Sequence, residues 1–485
     1  MLFLELDGDG PLHQQAYRAL RAEILSARLA PGSRLPSTRL LAASLRLSRN
    51  TVLLAYEQLF AEGYAHSRMG ARAVVTSRLV TNSGNKGGLP SSSAATPGLT
   101  SAGERMVALS RERLLRWDLQ AGRLPYDFRV GPAFADFPQA VWCRLLGRRA
   151  RRASVRDLDY GPRQGREELR AAIADRLLRH RGIDTSPGRI VIVNGTQQAL
   201  DLICRVLLER GHRVLIEEPH YLGARSAFVA AGARLIAAPV DEEGMRVPPA
   251  RASAPAPRIA YVTPSHQYPT GVVMPLARRL QLLDWATRCK AFIVEDDYDS
   301  EYRYEGRPIQ ALAGLDTTDR VIYAGTFSKL MFPALRLGYL VLPESLVEPI
   351  AAAKAIADTG NGSILQLALA DFIEQGHFER HMRRTTKRNR MLRTTLLEAI
   401  AQQFGDRAEI SGANAGLHVL AWIRGRKGRP IRSVTEKARQ VGVGIYPVAP
   451  YYLTPPQRTG VLLGYGQLGE REIREGIRRL AAVLG

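Results

Sequence analysis

Near the start of the chain, apolar residues recur at helical spacing three times. Leu12, Tyr17, Leu20, Ile24 and Leu25 predict a helix over 11–26, with Pro11 in its first turn and the turn dipeptide Pro31-Gly32 behind it. Ser37 is placed to cap a second helix that buries Leu40, Leu41, Ala43 and Leu45. Ser48 caps a third, which packs Val52, Leu53, Tyr56, Leu59 and Phe60 and stops at Gly63. Two short extended runs, 64–68 and 72–76, are joined at Met69-Gly70-Ala71, where Gly70 suits the turn. Periodicity vanishes between residues 78 and 104, a stretch rich in Gly, Ser, Thr and Pro with too little apolar surface to order itself. We read 1–77 as one domain, 78–104 as a flexible linker and 105–485 as a second body. In that body apolar runs alternate with helical stretches: 190–193, 214–216, 235–239, 259–262, 292–294, 321–323 and 339–342. Such a rhythm predicts an α/β unit around a mostly parallel sheet.

Three helices and a β-ribbon make the winged helix-turn-helix plan, whose third helix enters the major groove of DNA. That helix starts here with Ser48, Arg49, Asn50 and Thr51. Arginine can grip guanine, and asparagine adenine, through paired hydrogen bonds, while hydroxyls and a helix start suit phosphate. The same residues also fit a small three-helix domain whose polar side chains only cap helices. A formal net charge of +22 favours a polyanionic partner, although the arginines are spread along the whole chain. The run Arg148, Arg149, Arg151, Arg152 reads first as a solvated helix face. No apolar run approaches the ~20 residues of a membrane helix. The acidic start MLFLELDGDG is unlike a signal peptide. Three scattered cysteines show no metal-ligand spacing and fit a reducing cytoplasm.

Polar clusters stand where the strands of the second body end: Gly195-Thr196-Gln197, Pro219-His220-Tyr221, His266-Gln267, Asp296-Asp297-Tyr298 and the stretch from Thr326 to Lys329. Ligands of such sheets gather at those ends. The chain has only seven lysines, and Lys329 follows a buried-looking run, Val321 to Ala324, with Arg336 seven residues further on. A desolvated lysine can lose its proton and attack a carbonyl, which arginine does not do. Lys329 is therefore a candidate for holding pyridoxal 5′-phosphate (PLP) as an imine, against the plainer reading of a surface lysine behind a strand. The other clusters supply what PLP requires. Thr196 opens a helix that can cradle phosphate, and Tyr221 can stack on the ring. Asp296 can keep the ring nitrogen protonated, and Tyr298 can donate to the ring hydroxyl. Thr326 and Arg336 can bind phosphate. Each also has an ordinary structural alternative, such as a core tyrosine, a solvated acidic loop or an ion pair.

The segment PGSRLPSTRLLAASLRLSRNTVLLAYEQLFAEGY resembles the DNA-binding domain of GntR-type regulators. This implies DNA contacts from Arg39, Ser48, Arg49, Asn50, Thr51 and the wing tip at Gly70, with Arg34 and Thr38 on phosphates. The stretches YGPRQGREELRAAIADRL, TPSHQYPTG, EDDYDSEYRY and GTFSKLMFPALRLGY resemble the fold-type I aminotransferases. Taken together, the chain resembles the MocR subfamily of GntR regulators over nearly its whole length. The resemblance implies a PLP Schiff base on Lys329, Asp296 at the ring nitrogen, Tyr298 at the ring oxygen and Tyr221 on the ring face. It also implies phosphate contacts from Thr196, Thr326 and Arg336, and from Tyr160 across the interface of a head-to-tail homodimer. Two departures stand out. Tyr268 occupies the place of the usual asparagine before Pro-Thr-Gly, with His266 and Gln267 as stand-ins. GVLLGYG, residues 460–466, has leucines where an arginine for a substrate carboxylate is expected, leaving Arg458 as a distant candidate. The expectation is a cytoplasmic regulator whose body senses PLP, alone or with an amino compound, performs at most a half-transamination, and is tethered to DNA-reading heads. A working aminotransferase carrying a DNA-binding domain is the alternative.

Overall fold

The computed structural model describes residues 4–67, 72–77, 98–116, 124–131, 136–250, 255–306, 309–424, 431–454, 456 and 458–484. They divide into two compact units, Met1–Gly98 and Leu99–Gly485.

The first unit packs α1 (Leu12–Leu25), α2 (Thr38–Leu45) and α3 (Arg49–Ala61) around Leu20, Ile24, Leu35, Leu41, Val52, Tyr56 and Leu59. Ser37 and Ser48 cap α2 and α3 by accepting from Leu40 N and Thr51 N. The inward faces differ from the spacing-based expectation. α2 buries Leu41 and Ala42 and leaves Leu40 66% exposed, and in α3 Ala55 turns inward while Leu53 is 45% exposed. A helix of two turns carries too few apolar positions to fix its inward stripe, so packing against α3 decides it. The strands β1 (Ala65–His66) and β2 (Val74–Val75) pair antiparallel. The wing tip with Gly70 lies outside the described residues, as do positions 78–97 of the expected linker.

In the second unit, α4 (Ser101–Arg116) begins before the expected end of the linker at 104. Then come β3 (Tyr126–Asp127), α5 (Gln139–Arg151), α6 (Val155–Leu158) and α7 (Glu167–Arg181). The main sheet is formed by β4 (Ile190–Val193), β5 (Arg213–Glu218), β6 (Arg234–Asp241), β7 (Gly244–Met245), β8 (Ile259–Val262), β9 (Phe292–Asp297), β10 (Val321–Thr326) and β11 (Gly338–Val341). Between its strands run α8 (Thr196–Leu207), α9 (Leu222–Ala230) and α10 (Leu276–Cys289). The strand order is β4-β11-β10-β9-β8-β5-β6-β7. The run from β10 through β9, β8 and β5 to β6 is parallel, while β11 is antiparallel to both of its neighbours. Each apolar run of the sequence is a strand here. The strands β4, β8, β10 and β11 are buried along their whole length, as a sheet covered on both faces requires.

Helices α11 (Glu344–Asp358), α12 (Ser363–Glu374) and α13 (His377–Phe404) lead to a smaller antiparallel sheet. It contains β12 (Ala408–Ser411), β13 (His418–Ile423), β15 (Tyr446–Pro447) and β16 (Gly460–Gly464), in the order β12-β13-β16-β15. α14 (Ile431–Gln440) and β14 (Val443–Gly444) lie between β13 and β15, and α15 (Glu470–Leu484) closes the unit. Among the described residues no helix is long and apolar enough to cross a membrane.

Candidate functional site

A cavity opens at the carboxyl ends of the parallel strands. Thr196, Tyr221, Asp296, Tyr298, Thr326, Lys329 and Arg336 all line it, together with Tyr261, Thr263 and Tyr268. Seven of the eight residues expected at a cofactor are thus brought together. Tyr160 is not among them; it is 83% exposed.

One end of the cavity suits an anion. Helix α8 starts at Thr196 behind Gly195, whose φ of +93° is the region glycine tolerates. The first N–H groups of a helix have no partner within it and carry its positive dipole end. A Cβ built on Gly195 would lie 3.7 Å from the guanidinium of Arg336, so that cation sits at the helix start. Gly338 allows this convergence: a Cβ there would come within 2.8 Å of Gly325 O and 3.0 Å of Gly195 Cα.

Further in, Asp296 is buried at the end of β9. Its Oδ2 accepts a 2.6 Å hydrogen bond from the Tyr261 hydroxyl. Its Oδ1 has no partner among the described residues. Burial pushes this carboxyl up to about 7, with Tyr261 opposing and Asp297 and Asp299 adding to the rise. A buried carboxylate with an idle oxygen is a ready acceptor for a protonated ring nitrogen. Lys329 is half-buried in the same wall, and desolvation lowers its pKa against the pull of Asp299. The fully buried lysine among the described residues, Lys354, has both oxygens of Asp358 at 2.8 Å and is a structural pair. Lys329 is therefore the lysine with the setting of a nucleophile.

Several residues at the site were not singled out from the sequence. Tyr261 lay hidden in an apolar strand, where only its hydroxyl marked it. Glu217, at the end of β5, accepts from Thr263 Oγ1 at 2.7 Å and Gln267 Nε2 at 3.1 Å, and burial pushes it up to about 7. Gln267 is fully engaged there: its Nε2 also reaches Pro219 O and Tyr268 O, and its Oε1 accepts from Thr270. It therefore braces the loop and does not stand in for the missing asparagine. His266 is likewise buried behind the wall and bonded to Asp299. Tyr268 packs edge-on to Tyr221, Tyr298 and Tyr451. Arg458 pairs with Glu409 and lies over Trp422, and it does not line the cavity. Arg148 and Arg149 both hold Asp371, so only Arg151 and Arg152 of that run form a solvated face.

In the first unit, Arg39, Ser48, Arg49 and Asn50 are exposed at the starts of α2 and α3, and Thr51 is half-buried. Arg49 Nε approaches Thr38 Oγ1 at 3.5 Å, which brings the two helix starts together. The Ser48 hydroxyl accepts from Thr51 N at 3.1 Å and meets Thr51 Oγ1 at 2.7 Å, so it is engaged as a cap.

Residues 12–75 match the gntR family of bacterial regulatory proteins, and residues 138–440 match class I and II aminotransferases. Over 99% of its length the chain is 38% identical to the probable rhizopine catabolism regulatory protein MocR of Rhizobium meliloti, covering 95% of that protein. It is 32% identical to the HTH-type transcriptional regulator TauR of Rhodobacter capsulatus, over 99% of this chain and 98% of that one. Among solved structures, the multiple substrate aminotransferase of Thermococcus profundus aligns with a TM-score of 0.73 at 28% identity, covering 80% of this chain and 97% of that one. LysN, the α-aminoadipate aminotransferase of Thermus thermophilus complexed with N-(5′-phosphopyridoxyl)-L-leucine, aligns with a TM-score of 0.70 at 28% identity, with the same coverage.

Proposed function

The chain belongs to the MocR subfamily of GntR-type regulators, and from that premise we propose a transcription regulator whose winged helix-turn-helix binds operator DNA and whose aminotransferase-like body binds PLP and senses an amino compound. The observation that carries the reading is the idle oxygen of buried Asp296 in one cavity with Lys329 and with the Arg336-lined start of α8.

Bound there, PLP supplies an aldehyde that captures primary amines and a ring that withdraws electrons. Lys329 would hold it covalently, its proton loosened by desolvation. Asp296 would keep a proton on the ring nitrogen. Thr196, Thr326 and Arg336 would take the phosphate, Tyr221 would cover the ring face and Tyr298 would donate to the ring oxygen. Arg39, Ser48, Arg49, Asn50, Thr51 and Gly70 would meet DNA, with Arg49 and Asn50 best placed for base edges.

A second copy is part of this reading. Val155, Leu158 and Tyr160 are 83, 70 and 83% exposed within six residues of one another, an apolar patch that a head-to-tail homodimer would cover. The partner's Tyr160 would then reach the phosphate end. We infer a sensor rather than a turnover enzyme, because the cations lining the cavity among the described residues, Lys329 and Arg336, would both be taken up by the cofactor. Steady-state assay with amino and keto acids tests that choice, and multiple turnover would overturn it. The regulatory reading is tested by operator binding at rising PLP, with and without a panel of primary amines. A change in affinity, footprint or DNA bend is expected; identical curves under all conditions would overturn the coupling.

A further inference from the structure

Behind Tyr298 lies a buried group that no role above uses. The His266 side chain is fully enclosed. Its Nδ1 lies 3.1 and 3.2 Å from the two oxygens of Asp299 and 2.9 Å from the Tyr298 hydroxyl. The chain clears space for this ring with glycine. A Cβ at Gly416 would fall 2.0 Å from the ring, and one at Gly271 would fall 2.9 Å from Nε2. Nε2 has no hydrogen-bond partner among the described residues.

Facing Nδ1 with both oxygens, Asp299 is in the position of an acceptor, so Nδ1 carries the hydrogen. That N–H also lies against Tyr298 Oη, which therefore accepts on this side and keeps its own proton for the cavity. We propose that Asp299 and His266 are positioning residues that fix Tyr298 as a hydrogen-bond donor toward the ring oxygen of a cofactor held on Lys329, and so set the cofactor's proton affinity. The inference rests on the PLP reading of the cavity.

Burial raises Asp299 and Asp297 adds to the rise, both opposing its accepting carboxylate, while His266 and Lys329 favour it. Burial, Asp299, Tyr268, Asp296 and Glu217 hold the Tyr298 phenol well above its usual pKa, so it stays protonated and able to donate. Beside the imidazole stands His418, ring centroid 5.2 Å away, which burial, His266 and Lys329 push down to about 3 and which therefore stays neutral.

A donor at the ring oxygen stabilises the form in which that oxygen bears more negative charge, the deprotonated chromophore. Weakening the donor should move the pH midpoint of the visible absorbance upward. The test is a spectrophotometric pH titration of PLP-loaded wild type, Asp299→Asn, His266→Phe and Tyr298→Phe, with bound PLP counted and thermal melts run alongside. His266→Phe and Tyr298→Phe should each shift the midpoint upward by about 0.5–1 unit, and Asp299→Asn, which also removes the charge that raises Lys329, should shift it upward by less. Adding His266→Phe to Tyr298→Phe should shift it no further. Variants that lose melting temperature yet keep the wild-type midpoint would overturn the positioning role and leave the cofactor reading standing. Wild type that takes up no PLP would overturn both.

Discussion

Asp296→Asn should stabilise the PLP-free protein at high pH while weakening its hold on PLP. Burial places the Asp296 carboxyl at about 7 in the folded chain, against an ordinary 3.8. Between those values the folded state keeps a proton that the unfolded chain has released, so stability falls as pH rises through the window. The displacement from 3.8 to about 7 is roughly three pH units at ~1.36 kcal/mol each, about 4 kcal/mol once the carboxyl is ionised. Asparagine removes that term but leaves an amide beside the idle position of Oδ1, at a cost of about 1–2 kcal/mol. Near pH 5.5 about half of the penalty is still to come. The variant's advantage over wild type should therefore grow by about 2 kcal/mol between roughly pH 5.5 and pH 8. Urea denaturation of both PLP-free proteins at stepped pH measures it. In the same variant PLP affinity should drop about tenfold or more, because a charge-assisted hydrogen bond of about 1.5–3 kcal/mol is gone. An advantage that stays constant or shrinks with rising pH would refute the reasoning about this carboxyl.

Other outcomes follow from the same geometry. Arg49→Ala should cost about 1–3 kcal/mol of specific operator binding and leave non-specific binding nearly intact, as read by fluorescence anisotropy on operator and scrambled DNA; equal losses on both would make Arg49 a phosphate contact. Arg181, buried, holds Asp297 at 2.8 Å and Ser265 at 2.6 Å, so Arg181→Met should destabilise the body by about 3–5 kcal/mol in urea unfolding; a change below about 1 kcal/mol would count against the pair. Ser37→Ala removes the hydroxyl that accepts from Leu40 N and should lower the stability of the first unit by about 1 kcal/mol without altering its far-UV spectrum.

Much of the architecture was legible because the body's strands are continuous apolar runs ending in polar clusters. Val321 to Thr326 is buried throughout, and the lysine just past it stood out as a candidate nucleophile. Asp296 and Thr196 were legible for the same reason, since each ends or follows such a run. The register of α2 was not, because Leu40 and Leu41 are equally apolar and only packing separates them. Gln267 resembled a cavity residue by its place in TPSHQYPTG, yet its amide is consumed by Glu217 and three backbone carbonyls or donors nearby. The contact between His266 and Asp299 joins residues 33 positions apart, and no spacing rule reaches that far. Tyr160 stands apart from the cavity in a single chain, so a role for it needs a second copy.

The most direct measurement is a reductive trap. PLP-loaded protein is treated with borohydride, digested and mapped by mass spectrometry, with Lys329→Ala in parallel. The account predicts one phosphopyridoxyl addition on the peptide containing Lys329 and none in the variant. Addition at Lys354 or another lysine, or no addition to wild type at saturating PLP, would contradict it.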